Sequence, residues 1–219
     1  MAAKNKTPIP VIYEDEHLLA INKPAGLVSV PAPHIPDYKT IQGMMRERAE
    51  REGLDYKPYL LNRLDQDTSG VLLLGKHPRD REALEAIFQD ARTEKTYLAH
   101  VKWVPKQREG TIRFSLEARH ADKKVPALTH YKVVKMIGNS SLLEVRIETG
   151  RKHQIRKHLA MIGHPLILDK EYGDRTFNNS WQRLKKGKGK FYLHSWKTKF
   201  FHPFLKQEIE IAAEPPELA

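Results

Sequence analysis

Apolar residues in this chain come mostly in short runs. Val11 to Tyr13, Leu18 to Asn22, Leu27 to Val30, Val71 to Leu74, Thr96 to Trp103, Thr129 to Val134, Leu142 to Ile147 and Phe191 to Phe201 are rich in β-branched and aromatic residues. Several alternate with polar residues, and each run predicts a strand. Three stretches change to a helical period. Thr40 to about Glu52 puts Ile41, Met44, Met45 and Ala49 on one face before Gly53. Arg79 to about Ala91 does the same with Leu84, Ile87, Phe88 and Ala91, following Pro78. Arg151 to Ile162 turns Ile155, Leu159 and Ile162 inward and stops at Gly163-His164-Pro165. Strands interrupted irregularly by a few helices predict an α+β domain. Its mixed, largely antiparallel sheet should be flanked by helices and loops.

No Pro/Gly/Ser-rich linker divides the chain and no internal repeat is present. The expected organisation is an N-terminal tail over 1–10, one catalytic domain over 11–212, and a frayed C-terminal tail over 213–219. Pro31 to Pro36, with three prolines, reads as a stiff surface loop, and the polar stretch Gly173 to Lys190 as a solvated one. Met1 to Lys6 lacks the apolar core of a secretory signal, and nothing approaches the roughly 20 apolar residues that cross a bilayer. The expectation is a soluble cytoplasmic protein, without a membrane partner.

Charge adds a partner class. Lys and Arg total 38 against 27 acids in 219 residues, a formal charge of +11 with pI near 9.7. Such an excess suits a polyanion, nucleic acid before an acidic membrane. Cysteine is absent, which excludes disulfides, thiolate metal sites and a cysteine nucleophile.

Covalent or acid–base chemistry therefore falls to carboxylate, histidine, lysine or hydroxyl groups. Asn62-Arg63-Leu64-Asp65-Gln66-Asp67-Thr68-Ser69-Gly70 concentrates them on a turn before an apolar strand. Asp65 reads either as an Asx-turn residue or as a reactive carboxylate. In the second reading it must stay ionised in a cleft, so it needs a nearby cation, for which Arg63 and Arg156 are candidates. Asp67 reads as a turn-stabilising group. Asp65-Gln66-Asp67-Thr68 also has the spacing of an aspartate phosphatase, but that signature ends a buried strand, whereas here the strand follows. Gly70 to Lys76 spells a phosphate-loop pattern across what should be a strand, with His77 where Ser or Thr is required. His153 and His158 lie roughly 500° apart on a helix and share no face, so no metal site follows. His153 and Gln154 read as groups that brace the loop or a substrate backbone. Tyr97 reads as a core tyrosine or as an aromatic platform for a base. The run from Arg183 to Lys190, including Lys185 and Lys186, is a solvated loop or a phosphate-contacting arm.

Five segments in order resemble an RluA-type pseudouridine synthase: VIYEDEHLLAINKPAGLVSV from Val11, NRLDQDTSGVLLLGK, EKTYLA, ETGRKHQIRKHLAMIGHPLILDKEYG, and Leu193-His194-Ser195. The resemblance implies an isomerase that converts uridine to pseudouridine in structured rRNA or tRNA, with a basic central cleft. It makes Asp65 the nucleophile, Tyr97 the residue that stacks on or positions uracil, and Arg156 the partner of the aspartate. Arg63 would fill the space of the flipped base, with Arg151, His153, Gln154, Lys185 and Lys186 as further substrate-binding candidates. It implies no cofactor, no metal and no obligate protein partner, hence a monomer acting on RNA.

Two departures stand out. Asn62 replaces the histidine that the family commonly has before Arg-Leu-Asp. The chain also starts almost at the first matching segment, leaving no room for a small N-terminal RNA-binding domain. An RNA-binding module without catalysis and a basic structural protein remain alternatives. They account for the charge, but not for Asp65, Tyr97 and Arg156 occurring together.

Overall fold

The computed structural model describes residues 9–31, 33–118 and 121–218. The polar leader Met1 to Lys6 lies outside them. The chain is α+β, and it forms two compact units. One runs to Thr93 and takes in Lys199–Glu214; the other is Glu94–Thr198 with the stretch from Pro215.

In the first unit β1 (Val11–Glu14) pairs antiparallel with β2 (Leu18–Lys23), and β2 with β4 (Ser69–Gly75). β3 (Tyr59–Leu60) also lies on β4. Every position of β4 is buried, which is why Gly-Val-Leu-Leu-Leu-Gly is continuous rather than alternating. Leu18, Ala20, Val71 and Leu73 pack with Leu84, Ile87, Phe200, Ile211 and Ala213 in one apolar core. Each large aliphatic or aromatic side chain buried this way contributes about 1.5–3 kcal/mol. Helix α1 (Ile41–Arg51) begins at Thr40, whose Oγ1 accepts from the Gly43 N–H at 3.1 Å. Gly43 is required there, since a Cβ would lie 2.0 Å from the Asp37 carbonyl oxygen.

In the second unit β5 (Glu94–Lys102), β10 (Ser140–Ile147), β9 (Thr129–Ile137) and β6 (Glu109–Ile112) pair antiparallel in that order. A hairpin of β7 (Leu116–Ala118) and β8 (Ala121–Val125) forms a separate small sheet. Helices α3 (Gln154–Met161) and α4 (Arg175–Leu184) belong here. Strand β11 (Leu193–His202) contributes residues 193–198 to this unit and the rest to the first, where β12 (Gln207–Ala212) pairs with it.

Several expectations are corrected. Leu27 to Val30 is not a strand. The carbonyls of Val28 and Ser29 instead accept from the Ile41 and Gln42 N–H groups, supplying acceptors to helix amides that have none of their own. The expected helix from Arg79 is broken into a 3-10 turn, α2 (Arg81–Glu85) and a second 3-10 turn, Ala86–Gln89. Leu84 and Ile87 face inward, but Ala91 is exposed, because Asp90 turns the chain by accepting from the Arg92 N–H at 2.8 Å. The third helix starts at Gln154, not Arg151, since His153 sits at φ 54°. The polar stretch read as a loop contains α4. The C-terminal segment is tied down: Ala213 is buried, the Glu214 carbonyl accepts from Asn22 Nδ2 and the Pro216 carbonyl from the Tyr192 hydroxyl. Among the described residues no helix is long and apolar enough to cross a membrane.

Candidate active site

Asp65 lies four residues before β4, half-buried, in a turn closed by the Thr68 N–H donating to its own carbonyl at 3.1 Å. The turn is anchored from below by a residue that sequence reasoning passed over. Lys23 ends β2, is fully buried, and donates to the carbonyls of Pro24 at 3.1 Å, Gln66 at 2.9 Å and Thr68 at 2.7 Å. An ammonium has three donors, and here all three meet carbonyls. Burial pushes the Lys23 pKa down to about 8, against the opposing pull of Asp67 and then Asp65.

Further ties hold the turn. Gly26 N–H donates to the Gln66 carbonyl, Gln66 Nε2 to the Gly26 carbonyl, and Ser29 Oγ to the Leu64 carbonyl. Gly70, opposite Lys23 across β2 and β4, takes φ 107°, which only glycine adopts without strain. Asn62 accepts from the Leu73 N–H through Oδ1 at 2.9 Å, so this departure from the family pattern braces backbone. Asp67 and Arg63 are exposed. The aspartates precede β4 and follow a two-residue strand, which removes the context an aspartate phosphatase would need. The phosphate-loop lookalike is β4 itself, and its Lys76 pairs with Glu14 at 2.8 Å.

In the second unit Arg156, on the first turn of α3, makes a two-pronged contact with Asp169. Its Nε donates to Oδ2 at 2.7 Å and one Nη to Oδ1 at 2.9 Å, while the same nitrogen reaches Glu171 Oε2 at 3.3 Å. The guanidinium lies 5.0 Å from the Tyr172 ring centroid. Burial pushes the Asp169 carboxyl up, but the Arg156 contact and the N–H groups of Tyr172 and Glu171 outweigh it, leaving the carboxyl below its usual range. Asp169 was not among the residues singled out from sequence, although it lies in the last long matching segment.

The other candidates divide. Tyr97 is buried on β5 opposite Val145. His153 Nδ1 lies 3.1 Å from the Tyr172 hydroxyl and 3.3 Å from Glu171 Oε2. Gln154 is buried, and its amide is committed to protein: Oε1 accepts from Thr149 Oγ1 and the Arg151 N–H, and Nε2 donates to the Leu128 carbonyl and Thr129 Oγ1. These bonds brace the loop onto β9, the first of the two roles expected for this residue. Arg151 is exposed, its Nε 3.4 Å from the Pro126 carbonyl. Lys185 caps α4 with Nζ 5.3 Å from the Trp181 ring, and Lys186 is exposed. His158 bonds Thr129 and the Phe114 carbonyl, as a buried structural histidine.

Residues 17–161 match the family described as RNA pseudouridylate synthase. The chain belongs to that family. It is 31% identical over 223 residues to ribosomal large subunit pseudouridine synthase D of Zymomonas mobilis, covering 96% of this chain and 70% of that protein. It is 33% identical over 223 residues to ribosomal large subunit pseudouridine synthase C of Escherichia coli, covering 94% and 66%. An uncharacterized RNA pseudouridine synthase of Synechocystis is 32% identical, with 95% and 66% covered. The chain thus spans about two thirds of the length of these relatives. Its fold is similar to that of human RNA pseudouridylate synthase domain containing 4, with a TM-score of 0.78 at 23% identity over 95% of this chain and 89% of the other.

The matched family region takes in Lys23, Asp65, Tyr97 and Arg156. Asp169 and α4 lie beyond its end.

Proposed function

We propose that this chain is an RNA uridine-to-pseudouridine isomerase with Asp65 as its nucleophile, and that ribosomal or transfer RNA carries the target. The observation that supports Asp65 most is its turn: a half-buried carboxylate on a loop whose carbonyls are gripped by a fully buried lysine. Loops fixed by rigid elements are where catalytic groups are commonly carried. The relatives named for the ribosomal large subunit favour rRNA as the substrate class.

The reaction breaks the N1–C1′ glycosidic bond of uridine, turns the uracil, and joins C5 to C1′. The proton lost from C5 is balanced by one gained at N1, so atoms and oxidation state are conserved and no redox partner is needed. Asp65 supplies the electron pair that holds the cleaved fragment during rotation, and that bond breaks again, returning the pair to the carboxylate, before the pseudouridine is released. Tyr97 is proposed to stack on or position the uracil, Arg156 to serve the aspartate, and Arg63 to occupy the space of the flipped base. The matched motifs are the support for these three. Arg151, His153, Lys185 and Lys186 are proposed RNA contacts, and the protein is proposed to act as a cytoplasmic monomer.

The test is turnover of wild type and Asp65→Ala on rRNA and tRNA transcripts. The variant should lose at least about a thousandfold in rate, while its melting temperature and RNA affinity stay near wild type, because affinity rests on distributed phosphate contacts. Near-normal turnover by Asp65→Ala would remove the nucleophile assignment.

A further inference from the structure

Trp103 stands in a conformation that a bulky side chain seldom takes. β5 ends at Lys102, and the next residue turns to φ 61°, in the left-handed region. Its backbone is pinned on both sides: the N–H donates to the Asn139 carbonyl at 2.8 Å, and the carbonyl accepts from Ser141 Oγ at 2.8 Å. Glycine would satisfy this backbone without strain. Instead the position carries the largest side chain available, and it is 51% exposed. A strained residue that presents a large apolar ring to water calls for an explanation outside packing.

The surroundings suggest one. Lys102 Nζ lies 3.7 Å from the Trp103 ring centroid, held there by Asp174 Oδ2 at 2.5 Å. Asp174 is also the N-cap of α4, accepting from the Phe177 N–H at 2.8 Å. The same ammonium lies 5.6 Å from the Phe177 ring, which stacks on Trp181 at 5.9 Å and 16°, and Lys185 Nζ lies 5.3 Å from the Trp181 ring. Two cations, Lys102 and Lys185, thus lie against a row of three rings, Trp103, Phe177 and Trp181, that runs to the end of α4. Residues 175–190 hold six Lys or Arg and no Asp or Glu, and Arg175, Arg183, Lys186 and Lys188 are exposed. Such a surface suits a chain of phosphates that carries flat, stackable groups.

We propose that Trp103 is a stacking platform for an unpaired base of the bound RNA, outside the reacting uridine, with the strand's phosphates following the basic side of α4. This rests on the reading of RNA as substrate. Lys102 covers one face of the indole and fixes its plane, which leaves the exposed part of the ring to a base. The occupant is single-stranded, because a base inside a duplex has no face to offer.

The test compares wild type, Trp103→Gly and Trp103→Phe in binding a short single-stranded oligouridylate and the matching abasic ribose-phosphate strand across a salt series. Glycine relieves the positive φ, so Trp103→Gly should melt at or above the wild-type temperature. It should nonetheless bind oligouridylate about five- to a hundredfold more weakly, the loss of one base stack. Trp103→Phe should keep most of the affinity. The abasic strand should bind all three proteins alike, and the salt slope should not change, since stacking releases no counterions. Equal oligouridylate affinity for wild type and Trp103→Gly would overturn the platform and leave the isomerase reading intact. Failure of wild type to bind either strand or an rRNA transcript would overturn both.

Discussion

The turn around Asp65 and the loop around Arg156 fix a candidate reactive side chain by opposite means. In the first, a buried cation grips neutral carbonyls. In the second, a buried anion grips a guanidinium and two backbone N–H groups. The consequence shows in the ionisation of the two anchors. The negative charges of Asp67 and then Asp65 only partly offset the desolvation of Lys23, so its pKa falls to about 8. The Arg156 contact together with the Tyr172 and Glu171 N–H groups more than offsets the desolvation of Asp169, so its pKa falls as well, and for an acid that means a more stable charge. One anchor is close to neutralising in mild alkali, and the other keeps its charge below the ordinary carboxylate range.

Breaking the second anchor should have the largest effect on stability. Arg156→Ala leaves a carboxylate buried without its two-pronged partner, which should cost about 3–5 kcal/mol. Arg156→Lys restores charge but not the planar fork, and should recover part of it. The sign with pH follows from the depressed acid. Asp169 stabilises the fold above its ordinary pKa of 3.8, and that contribution fades as pH falls below about 4. Urea melts of wild type, Arg156→Ala, Asp169→Asn and the double variant from pH 3 to 7 measure both. Strictly additive single losses would show that the pair is not energetically coupled.

Lys23→Met should affect activity more than stability. Methionine fills a similar volume and removes a buried charge, while three carbonyls lose their donor, for a net cost on the order of 1–3 kcal/mol. The Asp65 turn loses its anchor, and turnover should fall accordingly. Alkali sharpens the contrast. Folded Lys23 releases its proton near 8 and the unfolded chain near 10.5, so between these values the unfolded state binds more protons and wild-type stability gains on the order of 3 kcal/mol. The neutral amine has only two N–H groups for three carbonyls, so turnover should decline over the same range. Lys23→Met should show neither trend; an identical alkaline stability gain in that variant would assign it to another group.

How much of this was legible follows from where the chemistry is written. The Asp65 turn packs its reactive residue types into nine consecutive positions, and the neighbouring strands announce themselves by apolar runs. Lys23 was visible as a residue ending such a run, but its direction was not, because a lysine at a strand end ordinarily reaches for water. Asp169 lies thirteen residues from Arg156 and looks like any loop acid until the chain folds back. Helix α4 was obscured by its polar composition, although Gly173-Asp174 before Phe177 and Trp181 carries a helix-start signal. The strands β3, β6, β7 and β8 are too short or too polar for alternation to stand out, and sheet neighbours rather than propensity create them, whereas β12 carries a legible alternation in Glu208-Ile209-Glu210-Ile211.

The smallest effect separates the two aspartates of the turn. Both act on Lys23 through charge alone, Asp67 more strongly than Asp65. Asp67 is exposed, so removing its charge should leave stability and turnover near wild type, consistent with a surface group. It should still be felt by the lysine: Asp67→Asn withdraws a favourable negative charge and should move the Lys23 pKa further below 8. Asp65→Asn should move it in the same direction by less. Titration of the Lys23 Nζ resonance by NMR in wild type and both variants reads this ordering directly, and the rate assay should show the reverse order, with Asp65→Asn inactive and Asp67→Asn active. A larger pKa shift in Asp65→Asn would place its charge closer to the ammonium and make Lys23 an electrostatic partner of the nucleophile rather than only the clamp beneath its turn.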